Sequence, residues 1–125
     1  MRSLIIALII LKSAVGFGQA ADFFVEDPLH KFPRTQEGVV LSHTYIVENK
    51  GDQPLIISDY KVACPCTKIT FPDTIPAGQR AEIVLTFDTK DKYYQQDRRI
   101  FLVTNTPKKM EELRFKVYVI PKDEE

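Results

Sequence analysis

A chain of 125 residues, 44% hydrophobic, with two cysteines and no tryptophan, is long enough to bury one core and no more. Its 17 basic and 17 acidic side chains cancel, so no field is present that would hold nucleic acid or an anionic membrane. No Gly/Ser-rich or Pro-rich linker, internal repeat or low-complexity tract divides it, which argues for a single domain.

The first element in chain order reads as a secretory leader. Arg2 precedes the apolar run Leu4 to Leu11, and small residues follow at Gly16, Gly18 and Ala20. That order predicts a cleaved signal peptide over residues 1–20, with the cut after Ala20. The run is shorter than the roughly 20 apolar residues a bilayer span needs, and Lys12 ends it. No cysteine stands near the cut, so neither a lipid anchor nor any other stable membrane anchor is expected. The remainder, residues 21–125, is expected to be one exported domain, soluble in the periplasm or secreted. Losing Arg2 and Lys12 leaves it 15 basic against 17 acidic residues, a charge of −2.

Strand signals dominate that remainder: short runs rich in Val, Ile, Phe, Tyr and Thr, separated by turn residues. A weak strand is expected within Phe23 to Thr35. Val39 to Glu48 is the first strong one, with Leu41, His43, Tyr45 and Val47 on one face. Asn49-Lys50-Gly51-Asp52 reads as a turn, since Asn and Gly tolerate positive φ and Asp can bond its own backbone. Strands follow at Leu55 to Ala63 and Lys68 to Phe71, and Pro76-Ala77-Gly78 turns the chain. Ala81 to Asp88 points Ala81, Ile83, Leu85 and Phe87 one way and Glu82, Thr86 and Asp88 the other. Arg98 to Thr104 and Leu113 to Ile120 complete the set, joined by a hairpin rather than by a helical turn at Lys108 to Leu113. About seven short strands at this spacing predict an all-β, immunoglobulin-like β-sandwich. A closed barrel is the alternative that strand counting does not separate. The Cys…Trp…Cys pattern of antibody domains is absent.

The residues that could carry chemistry are few. Cys64 and Cys66 flank Pro65, and in extended backbone they would share a face with Cα atoms about 6.6 Å apart, two strand rises. Three fates are open to them: a local disulfide staple, exchange with other thiols, or soft-metal binding. His43 is the candidate third metal ligand, although a lone histidine on an apolar strand face commonly belongs to the core. His30 is expected to be exposed. Ser42 and His43 are neighbours on a strand, so they point to opposite faces and cannot pair as nucleophile and base. The carboxylates Asp22, Glu26, Asp27, Asp88, Asp91, Asp97, Glu111 and Glu112 fall in turns or on polar faces, and none forms an evident acid/base couple. Arg98-Arg99 and Lys108-Lys109 read as solvated. Tyr93 and Tyr94 are candidate partner contacts, or caps on the core.

Five motifs stand in order: Asn49-x-Gly51-Asp52-x-Pro54-Leu55-x-Ile57, Cys64-x-Cys66-Thr67, Ile75-Pro76-Ala77-Gly78, Phe87-Asp88-Thr89 and Val103-x-Asn105. Together they resemble an exported bacterial family, domain of unknown function 1573, abundant in Bacteroidetes. That family is itself similar to sperm-protein-like and cilia-associated immunoglobulin-like domains. The resemblance runs from about Gly38 to Ile120. It implies the fold and an envelope location, and no activity. Two departures are Pro65, where the family usually has Gly, and Lys92 to Gln96, which lacks the family's hairpin Gly. The expectation is a non-catalytic interaction or structural module of the bacterial cell envelope, with an unknown envelope protein as partner, no nucleic acid and no cofactor. The alternative is a soft-metal-binding or thiol-exchange protein using Cys64-Pro65-Cys66. A strand-donating chaperone is a further reading, although pilus chaperones normally have two sandwich domains.

Overall fold

The structure, a computed structural model, describes residues 19–124. The expected leader up to Gly18 therefore lies outside the described residues. Period-two alternation of apolar and polar side chains leaves each strand with one face to cover, and two sheets laid face to face cover both. The strands are β1 (Phe24–Val25), β2 (Leu29–Lys31), β3 (Thr35–Gln36), β4 (Val40–Glu48), β5 (Leu55–Lys61), β6 (Thr67–Thr70), β7 (Thr74–Ile75), β8 (Arg80–Asp88), β9 (Tyr94–Thr104) and β10 (Met110–Ile120). A single 3-10 turn, Lys122–Glu124, follows. One sheet has the order β1-β4-β8-β6; the other runs β2-β10-β9-β5-β7, with β3 also on β10. This is an immunoglobulin-like sandwich.

The core is the set of side chains that the alternation points inward. Tyr45, Val47, Ile83, Leu85 and Phe87 come from one sheet, and Leu55, Ile57, Ile100, Leu102, Leu113, Phe115, Val117 and Val119 from the other. Phe87 and Phe115 meet edge to face across the interface, with ring centroids 4.9 Å apart. The Tyr45 ring is buried, and its hydroxyl donates to the Arg114 carbonyl at 2.7 Å. That bond supplies the partner a buried phenol requires.

The expected strands are present with differences: β5 ends at Lys61 rather than Ala63, β7 is an additional short strand, β10 starts at Met110 rather than Leu113, and the N-terminal segment and the start of β9 depart further. The N-terminal segment is three short strands rather than one: β1 pairs antiparallel with β4, then β2 and β3 pair parallel with β10. Pro28 and Pro33 bracket β2 and have no N–H to donate to a ladder; the chain changes sheet between β1 and β2, and β2 and β3 both lie on β10. Strand β9 begins at Tyr94, ahead of the expected Arg98. Its polar start, Gln95-Gln96-Asp97, lacks alternation, but the β10 ladder runs on to Val119 opposite Tyr94 and supplies the partner.

Four of the five motifs that carry the family resemblance are polar latches between loops. Asn49 is fully buried. Its Nδ2 donates to the carbonyls of Gln53 (2.8 Å) and Ile75 (3.0 Å). Its Oδ1 accepts from the N–H groups of Asp22 (3.1 Å) and Gly51 (3.0 Å). Gly78, at φ +78°, donates its N–H to the Asn49 carbonyl at 2.8 Å. The Thr89 hydroxyl donates to the Val39 carbonyl at 2.6 Å and accepts from the Gly38 N–H at 2.9 Å. Asn105 accepts from the Ile56 N–H and donates to the Pro54 carbonyl. The turn stands where expected, but the parts of Gly51 and Asp52 in it need correcting. Gly51 is not among the positive-φ residues; a Cβ there would stand 2.1 Å from the Ala20 carbonyl oxygen, so the requirement is close approach. Asp52 bonds the backbone N–H of Ala20 rather than its own.

Candidate functional site

Strand β5 ends at Lys61, and the chain crosses to the other sheet through residues 62–66 before β6 begins at Thr67. The crossing bends sharply: Thr67 donates its N–H to the Cys64 carbonyl at 3.1 Å. Cys64 and Cys66 therefore lie on a turn, not on extended backbone, and their Cα atoms are 5.2 Å apart instead of the expected two strand rises. The turn brings them together, and they form a disulfide. The Cys66 N–H lies 3.2 Å from the Cys64 sulfur. Both side chains are half-buried.

Because β5 stops early, its ladder with β9 covers only Phe101 to Thr104, whereas β10 covers β9 from Tyr94 to Val103. On the β5 side, Gln95 to Ile100 has no strand partner among the described residues. A cleft of about 350 Å³ lies there, walled by Lys61, Cys64, Thr67, Arg98, Arg99 and Phe101. Arg98 is half-buried, its guanidinium 5.6 Å from the Phe87 ring centre and bonded to Gln96 Oε1 at 2.6 Å. The solvated reading of that residue is thus corrected; packing against an aromatic holds it in place. Arg99 pairs with Glu112 at 3.0 Å. Asp97, also on the cleft, accepts from Arg114 Nε at 2.8 Å, and this hydrogen bond holds its carboxyl below the usual range. The cleft thus combines open backbone, an apolar floor, the cations Lys61 and Arg98 with Arg99 already paired to Glu112, a carboxylate already paired to Arg114, and the Cys64 side of a disulfide.

The other flagged residues lie elsewhere. His30 is half-buried in β2 rather than exposed, because its parallel pairing with Phe115 turns it inward. It stacks on His43, ring centroids 3.6 Å apart, and His43 meets the edge of Tyr45 at 4.7 Å. Burial lowers both imidazole pKa values; for His43 the charge of His30 lowers it further, against Asp27. His43 is not brought to the cysteines, and among the described residues no group of three or more His, Cys, Asp or Glu could hold a metal. Ser42 and His43 do point to opposite faces of β4, Ser42 outward. Glu111 accepts from the Thr106 hydroxyl at 2.8 Å, an internal hairpin bond. Tyr93 and Tyr94 are 48% and 47% exposed. They border a separate shallow depression with Glu37, Lys122 and Asp123. Tyr94 also packs against Tyr118, over which Arg34 lies at 4.4 Å. Sequence reasoning found the cysteines but not the cleft, whose one local signal was the Arg98-Arg99 pair.

Residues 23–119 match the family model described as "Protein of unknown function (DUF1573)". No curated protein matches the sequence. Among solved structures, the chain is similar to a protein of unknown function from Porphyromonas gingivalis W83 (TM-score 0.72, 13% identity), over 85% of this chain and 50% of that one. It thus spans about half that protein's length. It is also similar to a PapD-like domain of human CEP192 (TM-score 0.57, 13% identity, 82% and 87% of the two chains). A third likeness is to the Vibrio cholerae VesB protease (TM-score 0.59, 9% identity), over 89% of this chain but 35% of the protease. At these identities the likenesses establish the fold alone. No helix among the described residues is long and apolar enough to cross a membrane.

Proposed function

We propose, from the premise that this chain belongs to the DUF1573 family, that it is an exported, non-catalytic binding module of the bacterial cell envelope. Its ligand is an extended, acidic segment of another envelope protein, which adds as a strand to β9. The observation that carries this reading is the unpaired side of Gln95 to Ile100 beside the cleft. An exposed strand edge offers alternate N–H and C=O groups to an incoming strand, and flanking pockets read its side chains. Lys61, Arg98 and Arg99 on the cleft favour negative charge there. Residues 1–20 support export.

The test is site-specific photo-crosslinking in the intact envelope, with the crosslinker at Lys61 and, as control, at Glu82 on the outer face of the opposite sheet. A discrete adduct from position 61 alone is expected, weakened by Arg98→Glu. Adducts from position 82 but not 61 would remove the β9 site; none from either would remove the binding module.

A second reading is thiol exchange, favoured by the disulfide in the cleft wall. A client thiolate would attack one sulfur, expelling the other as a thiolate, and a second client thiol would resolve the mixed disulfide. The client is then oxidised and the Cys64–Cys66 pair reduced by two electrons. The Cys66 N–H beside the Cys64 sulfur would stabilise a thiolate at Cys64. Soft-metal binding by the two thiolates requires that same reduced state. Loss of exchange with a small dithiol in Cys64→Ser, with the fold retained, is the result that this reading requires.

A further inference from the structure

The leader's small residues allow more than one cut. Gly16 and Gly18 satisfy the last and third-last positions before Gln19, and Gly18 and Ala20 satisfy them before Ala21. The folded domain separates the two. The Ala20 N–H donates to Asp52 Oδ1 at 2.9 Å, and the Ala20 carbonyl accepts from the Asp52 N–H at 3.1 Å. One residue on, Ala21 is 4% exposed and belongs to the core. Asp22 is then held by Asn49 Oδ1. Position 51 matches this path, since only a residue without Cβ lets the Ala20 carbonyl pass.

A cut after Ala20 would delete both bonds to Asp52. It would also place a charged α-ammonium on a residue that is almost completely buried, which is costly unless that charge is fully paired. A cut two residues earlier keeps every one of these contacts and puts the new charge outside the clasp.

We infer that the leader is removed between Gly18 and Gln19, so that the mature domain begins at Gln19 and the Ala20–Asp52 clasp is its first structural element. Water adds across that peptide bond, leaving a carboxylate on the leader and an amine on Gln19. The clasp then fixes the entry of β1, a strand of two residues on the edge of its sheet. This inference rests on the export reading proposed above, and the test distinguishes the two.

The full chain is expressed in a bacterium, extracted from the envelope, and its intact mass measured. A mass starting at Gln19, or lower by one ammonia if Gln19 has cyclised, is expected. A mass starting at Ala21 or Phe17 overturns the inference and leaves export standing; a chain still starting at Met1 overturns both. Independently, purified chains starting at Gln19 and at Ala21 are compared by thermal unfolding. Loss of two backbone-anchoring bonds is expected to lower the midpoint by about 10 °C in the shorter chain. Equal midpoints would show that the clasp holds nothing, and would overturn the argument.

Discussion

Replacing Asn49 with alanine tests whether the motif residues hold the fold. The side chain makes four hydrogen bonds, two as donor and two as acceptor, at a fully buried position. A net contribution of about 1 kcal/mol per bond gives about 4 kcal/mol. The carbonyls of Gln53 and Ile75 and the N–H groups of Asp22 and Gly51 would also lose a partner. For a domain near 100 residues each kcal/mol moves the melting midpoint by about 4–8 °C, so a fall of about 16–32 °C is expected. Thermal and urea unfolding of Asn49→Ala against the parent measure it directly. Asn49→Asp is the sharper comparison. A carboxylate keeps both acceptor bonds but turns two donors into lone pairs facing carbonyls, so it should fall as far as alanine. A loss below about 1 kcal/mol in either variant would refute the account, because it would mean that water or relaxed loops satisfy these groups equally well.

Four further outcomes are expected. Gly51→Ala forces the Ala20 carbonyl away from a Cβ placed 2.1 Å from it; the cost should be about 1–3 kcal/mol. Hydrogen exchange should then show β1 loosened while the β4–β8 ladder stays protected. Cys64→Ser with Cys66→Ser should cost only about 1.5 kcal/mol in urea unfolding, the chain-entropy value for so short a loop. Stability should fall as pH drops below 6.5, because burial lowers the His30 and His43 pKa values from 6.5 and the unfolded chain then binds more protons than the folded one. The contribution is complete above 6.5 and is lost as pH falls through the lowered folded values; midpoints at several pH values should show a shallower fall in His43→Phe. Lys61→Glu should weaken capture of an acidic partner strand and leave the melting midpoint within about 1 °C, as for an exposed side chain outside any latch.

Long alternating strands were legible because a period of two survives any tertiary context. The inward set Leu41, His43, Tyr45 and Val47, and the set Ala81, Ile83, Leu85 and Phe87, follow from it directly. The start of β9 was not legible, because Gln95, Gln96 and Asp97 become strand only through their pairing with Tyr118, Val117 and Lys116. Gly51 was misread for a similar reason. Glycine permits both positive φ and close approach, and the neighbour that decides between them, Ala20, is distant in sequence. His30 lies in a segment without periodicity, and its burial comes from a parallel pairing made 85 residues away, with Phe115. The cysteines were found and their spacing misjudged, since a proline between them suits a turn as well as an extended run.

The energetics divide the motif residues into two kinds. Asn49, Gly51, Gly78, Thr89 and Asn105 all act through bonds or close approaches that fix where one loop meets another, and their loss should appear as lost stability. The disulfide is different. It closes a loop too short to remove much chain entropy, so as a staple it contributes less than half of what Asn49 does. Half-buried Cys64 lines the cleft wall, while Cys66 packs against the core; the cleft lies along the stretch of β9 whose outer side lacks a strand among the described residues. On the proposed strand-addition reading, a pair of cysteines expected to stabilise little would act by shaping or reacting with what binds there. The double serine variant separates the two: a stable protein that no longer retains its partner places the cysteines in recognition or exchange, and an unstable one returns them to the fold.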